Sequence, residues 1–190
     1  YVDFSVKASY RSIIYEGKEN IPTDGAIIYA PNHTNTIMDA LVVLAMDSKP
    51  KVFVARADIF RNKTLAKILT FLKIMPIMRQ RDGFNELKKN HETIEKSVDV
   101  LKDKIPFCIF PEGTRNKVDL ELLPIKNGAS VMAAMAKTPI FPVIQYNRFK
   151  VFHRSTIIIG EKYELTQYYG KKMTSEEMDA AGADMRERLL

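Results

Sequence analysis

The sequence has one cysteine, Cys108, so it can form no internal disulfide, and its three histidines fall into no Cys/His spacing for zinc. Cys108 sits inside the apolar run 105–110 and reads as a buried strand residue of a chain in a reducing, cytoplasmic setting. Long apolar runs are missing too. Nothing approaches the roughly 18 uncharged residues that a membrane span takes, and no charged-then-apolar leader stands at the amino end. Repeats, low-complexity tracts and linkers are absent, which leaves one domain over 1–190. No Gly-x-Ser-x-Gly elbow occurs, which argues against a serine hydrolase. The chain opens at Tyr1 with no initiator methionine, as expected of a fragment or of a chain that has lost an upstream anchor.

What is present is enough for a proper core. Of 190 residues 46% are hydrophobic and 27% charged, values that exclude a disordered chain. The formal net charge of +6 selects partners that carry negative charge: nucleic acid, an anionic membrane face, or a phosphorylated or CoA-like substrate. No nucleic-acid motif appears, and aromatics do not alternate with the basic residues, so nucleic acid is the weakest of these.

Periodicity predicts strands at 12–15, 26–30, 51–55, 74–78, 105–110, 140–146 and 156–159. It predicts helices at 36–46, 65–72, 84–104 and 128–137, with a last helix over 174–190. Phe84, Leu87, His91, Ile94, Val98 and Leu101 step by three and four onto one helix face. Thr36 is an expected N-cap, and Thr174 with Glu177 forms an expected capping box. Strands alternating with helices give an α/β class: a mixed sheet flanked by helices. Sites in such sheets gather where strands end.

Three strand-end segments carry candidate chemistry. Pro31-Asn32-His33-Thr34-Asn35-Thr36-Ile37-Met38-Asp39 joins a strand to a helix. His33 can serve as a base near neutral pH with a carboxylate to fix its tautomer, or it is a surface histidine. Asp39 can be that carboxylate, or it can cap the helix at its third position. In Phe110-Pro111-Glu112-Gly113-Thr114-Arg115, proline ends a buried strand and glycine permits a tight turn. An acceptor, a hydroxyl and a fork-shaped cation then follow within four residues, suited to phosphate or to an ordinary turn with a surface ion pair. In Met78-Arg79-Gln80-Arg81-Asp82, an extended chain puts Arg79 and Arg81 on one face. An anion between them, or Asp82, would relieve their repulsion. Arg56 and Lys126 are further strand-end and helix-start cations, each either a phosphate contact or a solvated charge.

Together these segments resemble the glycerophospholipid acyltransferase superfamily, in particular bacterial 1-acyl-sn-glycerol-3-phosphate acyltransferases. Asn32-His33 with Asp39 stands for the family's Asn-His…Asp block, and Pro76-Ile77-Met78-Arg79-Gln80-Arg81 for its strand ending in arginine. Residues 110–115 match Phe-Pro-Glu-Gly-Thr-Arg letter for letter, and Pro139-Ile140-Phe141-Pro142-Val143 matches its Pro-Val strand. Lys126 before Gly128-Ala129, and Gly160 after 156–159, match as well. The likeness covers about 14–165. There are two departures. Five residues separate His33 from Asp39 where the family has four, and on a rigid helix one residue turns a side chain by about 100°. Arg56 stands where lysine is common.

The resemblance implies a glycerol-3-phosphate acyltransferase-like fold. It implies acyl transfer from acyl-CoA or acyl-carrier protein to lysophosphatidate, with phosphatidate as product. His33 would be the base and Asp39 its orienter. Arg79, Arg81 and Arg115 would hold the phosphate, with Arg56 and Lys126 beside them. Glu112, Gly113 and Thr114 would shape the pocket. No metal or bound cofactor is implied, because the thioester is already activated. Glycerol-3-phosphate, a lyso-amino-acid lipid acceptor, or a non-catalytic lipid-binding module are the other readings. An amphiphilic acceptor implies work at the cytoplasmic face of the membrane. The apolar segment 65–72, flanked by lysines, suits an interfacial helix or a core helix equally.

Overall fold

The structure is a computed structural model. It describes residues 6, 8–35, 37–77, 84–118, 121–146 and 152–190, with only the helical backbone over 84–91.

Among the described residues seven strands form one sheet: β1 (Ser12–Glu16), β2 (Ile28–Pro31), β3 (Val52–Arg56), β4 (Ile74–Ile77), β5 (Phe107–Cys108), β6 (Ile140–Tyr146) and β7 (Arg154–Ile159). Their spatial order is β1-β7-β6-β2-β5-β3-β4. Every neighbouring pair is parallel except β6 and β7, which run antiparallel, so the sheet is mixed as expected. The helices bounded among the described residues are α1 (Ile37–Leu44), α2 (Lys63–Phe71), α3 (Phe84–Lys102), α4 (Gly128–Ala136) and α5 (Ser175–Glu187).

The central strands are buried on both faces, and the pleat sorts their side chains alternately. Ile28, Ala30, Phe107, Ile109 and Ile140 enter one core, together with residues of α3, α4 and α5. Ile27, Tyr29, Cys108, Phe141 and Val143 enter the other, with Val42 and Val43 of α1. Val98 and Leu101 of α3 are buried, as the helical periodicity requires. In α4, Ala129, Ser130, Ala133 and Ala134 are all buried, and their small size lets the helix approach its neighbours closely. Thr174 and Glu177 make the expected capping box at α5. Thr36 and Met78 lie outside the described residues.

One strand is much shorter than its apolar run suggests. Of 105–110 only Phe107 and Cys108 pair as ladder residues, although the Ile109 N–H still donates to the Tyr29 carbonyl at 3.0 Å. Pro106 has no N–H to give, and Phe110 turns out of the sheet to begin the next loop. Cys108 is a free, buried thiol that burial pushes up, which leaves it unfit as a nucleophile. Among the described residues no helix is long and apolar enough to cross a membrane.

Candidate active site

β2, β5, β3 and β4 are parallel, so their carboxyl ends share one end of the sheet. His33 lies just past β2, the loop 110–115 just past β5, and Arg56 at the end of β3. Parallel topology thus brings segments far apart in sequence to one place.

The exit from β2 is fixed by Asn32. Its backbone N–H donates to the Val143 carbonyl at 3.2 Å. Its side-chain Oδ1 accepts the Gln145 N–H at 2.7 Å, and Nδ2 donates to the Gln145 carbonyl at 3.2 Å. The amide side chain therefore continues the β2–β6 ladder one step beyond the strand, where a backbone pair would otherwise be lost. His33 follows immediately and is held at three further points. Its backbone N–H donates to Glu112 Oε1 at 2.7 Å, its carbonyl accepts the Asn116 N–H at 2.6 Å, and its ring stacks on Phe110 at 4.3 Å between centroids.

His33 Nδ1 stands 2.9 Å from Asp39 Oδ2. Asp39 is 1% exposed and accepts only, so Nδ1 carries the proton and Nε2 is left as a base. The same Oδ2 accepts the Asn35 N–H at 2.7 Å. Asp39 is the third residue of α1, and capping the helix entry and orienting the histidine are here one arrangement rather than alternatives. His33 lies before the helix Ile37–Leu44, and in spite of the longer spacing the carboxylate still reaches the ring.

Glu112 is 1% exposed, and both its oxygens are engaged by backbone: Oε1 by His33 and Oε2 by the Leu123 N–H at 3.0 Å. It ties the histidine loop to the segment leading into α4. The Gly113 N–H closes a turn on the Phe110 carbonyl at 3.0 Å, with φ +65°. A Cβ there would also come within 3.2 Å of Lys126 Cγ, so glycine serves both the turn and the close approach of Lys126. The Lys126 N–H donates to the Pro111 carbonyl at 2.7 Å, which seats its exposed side chain against this loop. Thr114 and Arg115 are exposed, and neither Arg115 nor Lys126 has a carboxylate partner among the described residues. Arg56 is paired instead with Asp58, whose carboxyl it holds below the usual range by hydrogen bonding. Arg79 and Arg81 lie outside the described residues. Among those described, no group of His, Cys, Asp or Glu is arranged to hold a metal.

Asn116 completes the site without having been singled out in the sequence, and Phe110, quoted there only as part of its segment, supplies the face on which His33 stacks. Asn116 is buried; its Nδ2 donates to the Glu121 carbonyl and its Oδ1 accepts the Val118 N–H at 2.9 Å. An asparagine one residue beyond a turn motif is the signal that points to such local bonding. A cavity of about 330 Å³ near Asp24, Lys137 and Lys162 lies before β2 and β6 begin, at the opposite end of the sheet, and takes in none of these residues.

The chain is 28% identical over 127 residues to the 1-acyl-sn-glycerol-3-phosphate acyltransferase of Bacillus subtilis, covering 66% of this chain and 58% of that one. It is 36% identical over 154 residues to the enzyme of the same name from Saccharomyces cerevisiae, covering 75% and 48%. The chain thus spans about half the length of these relatives. The crystal structure of the 1-acyl-sn-glycerophosphate acyltransferase of Thermotoga maritima superposes with a TM-score of 0.70 at 20% identity, covering 98% of this chain and 76% of that one, which shows the shared fold. Residues 12–145 match the family described as Acyltransferase. That match runs from the first residue of β1 almost to the end of β6, across the dyad and the loop beside it, and the chain belongs to this family.

Proposed function

We propose that the chain transfers a fatty acyl group from acyl-CoA or acyl-carrier protein to the free hydroxyl of lysophosphatidate, yielding phosphatidate and a free thiol. The observation that carries this reading is the 2.9 Å contact between His33 Nδ1 and Asp39 Oδ2, which leaves Nε2 as the base. Nε2 takes the hydroxyl proton as the oxygen attacks the thioester carbonyl. Collapse of the tetrahedral intermediate breaks the carbon–sulfur bond, and the thiolate recovers the proton from the imidazolium. Asp39 stabilises that imidazolium, and no enzyme nucleophile is needed because the substrate alcohol fills the role.

The acceptor phosphate is assigned to Arg115 and Lys126 on the loop beside the dyad, with Arg79 and Arg81 after β4 and Arg56 at the end of β3. Gly113 and Thr114 border that pocket, and Glu112 shapes it from beneath through the two backbone amides it holds. Because the acceptor carries a fatty chain, the reaction is proposed to run at a membrane surface, taken here as its cytoplasmic face. The test is direct. Purified protein receives lysophosphatidate with acyl-CoA or acyl-carrier protein, and phosphatidate and thiol are followed. Product only with glycerol-3-phosphate or a lyso-amino-acid lipid would change the acceptor. No product with any of them would leave a lipid-binding module.

A further inference from the structure

Helix α2 carries its apolar side chains on the outside. Leu65, Ile68, Phe71 and Leu72 are 38%, 50%, 84% and 54% exposed. At about 100° per residue they cover one arc of roughly 120° centred on Ile68. Ala66 and Leu69, on the other side, are half-buried and face the protein. The helix is well formed by local means: Asn62 caps it, its side chain accepting the Thr64 and Leu65 N–H groups at 3.0 and 3.1 Å. A helix made only to fill a core would turn this stripe inward.

Charge decides what covers it. Arg61, Lys63, Lys67 and Lys73 are exposed in and beside α2, with Lys67 next to Phe71 around the helix, and the segment 59–78 contains no Asp or Glu. A second copy packing the same face against itself would oppose these cations to one another. An anionic lipid surface meets both features at once, apolar side chains into the acyl boundary and cations at the phosphates. The segment leading into α2 leaves β3 at the sheet end that carries His33, so the first turn of α2, with Leu65, lies at the dyad's end, while Phe71 and Leu72 lead toward the start of β4 at the other.

We infer that the outward face of α2 docks the protein on anionic membrane surface. The inference rests on the membrane-side reading of the function and names the surface involved. It is tested by sedimentation with vesicles of phosphatidylcholine alone and of phosphatidylcholine mixed with phosphatidylglycerol. Wild type is expected to favour the mixed vesicles. Ile68→Ser/Phe71→Ser should lower partitioning roughly tenfold or more. Lys63→Gln/Lys67→Gln should erase most of the preference for mixed vesicles, as added salt should for wild type. Both variants should melt like wild type and acylate a short-chain lysophosphatidate dissolved as monomers at the wild-type rate.

Wild-type binding by Ile68→Ser/Phe71→Ser would overturn the inference. So would failure of wild type to bind either vesicle, or a dimer in solution that the same substitutions dissolve. Vesicle binding as expected, but no acyl transfer to any acceptor, would uphold the docking surface and sink the catalytic reading instead.

Discussion

Replacing Glu112 by glutamine separates a positioning role from a substrate-binding one. The side chain is buried and ties two backbone amides, His33 N–H at 2.7 Å and Leu123 N–H at 3.0 Å. Glutamine has the same shape but one acceptor oxygen. Its amide can satisfy one N–H, and its NH₂ then faces the other, donor against donor. A charge-assisted hydrogen bond contributes about 1.5–3 kcal/mol, and a buried amide left unpaired costs about 1–3 kcal/mol. A net loss of about 2–3 kcal/mol follows. At about 2–4 °C per kcal/mol for a domain of this size, Tm should fall by about 5–10 °C. The histidine loop then shifts, and kcat should drop about tenfold to a hundredfold with KM for either substrate nearly unchanged. Differential scanning fluorimetry and thiol release measure the two effects. A variant that melts like wild type but shows a raised KM for lysophosphatidate would refute this account and make Glu112 a ligand of the acceptor.

Further outcomes follow from the same geometry. Asn32→Ala removes both side-chain bonds to Gln145 and should cost about 1–3 kcal/mol in urea unfolding, with a loss of kcat, because the exit from β2 is no longer fixed. Gly17→Ala should be more damaging, about 3 kcal/mol or more: φ is +75° and the added Cβ would stand 2.1 Å from the Ile159 carbonyl oxygen. Arg115→Ala should raise KM for the acceptor far more than for the thioester; the reverse would move Arg115 to the donor side. Burial first, and the Asp39 charge second, push the Tyr10 phenol up to about 12. A raised folded pKa makes its contribution complete below the unfolded value of about 10 and lost as pH rises through about 12. Stability should decline with pH across that window, and Tyr10→Phe should make the decline shallower; an unchanged slope would contradict it.

Much of this was legible in the sequence because it is local. The strand–helix alternation, the Thr174–Glu177 box and the buried face of α3 each follow from spacings of two to four residues. The site segments were visible for the same reason, since each lies where a strand stops. What stayed hidden depends on partners distant in the chain. Asn32 looks like a loop residue until Gln145, 113 positions away, is beside it. Glu112 looks like a polar pocket residue until His33 and Leu123 take both its oxygens. The spacing between His33 and Asp39 misleads only if the helix begins at the histidine; the helix is Ile37–Leu44, and the carboxylate reaches the ring at 2.9 Å. The apolar run 105–110 suggested a full strand, but Pro106 and the turn at Phe110 leave only two ladder residues.

The central claim is that His33, oriented by Asp39, removes the acceptor's proton. Its most direct test is the initial rate of phosphatidate and thiol formation for wild type and for His33→Ala, with folding checked by Tm. For His33→Ala a loss of about 10²–10⁴-fold in kcat is expected, and for Asp39→Asn a smaller but large loss together with a lowered Tm, because two hydrogen bonds to a buried carboxylate are weakened. His33→Ala turning over at a rate near wild type would contradict it.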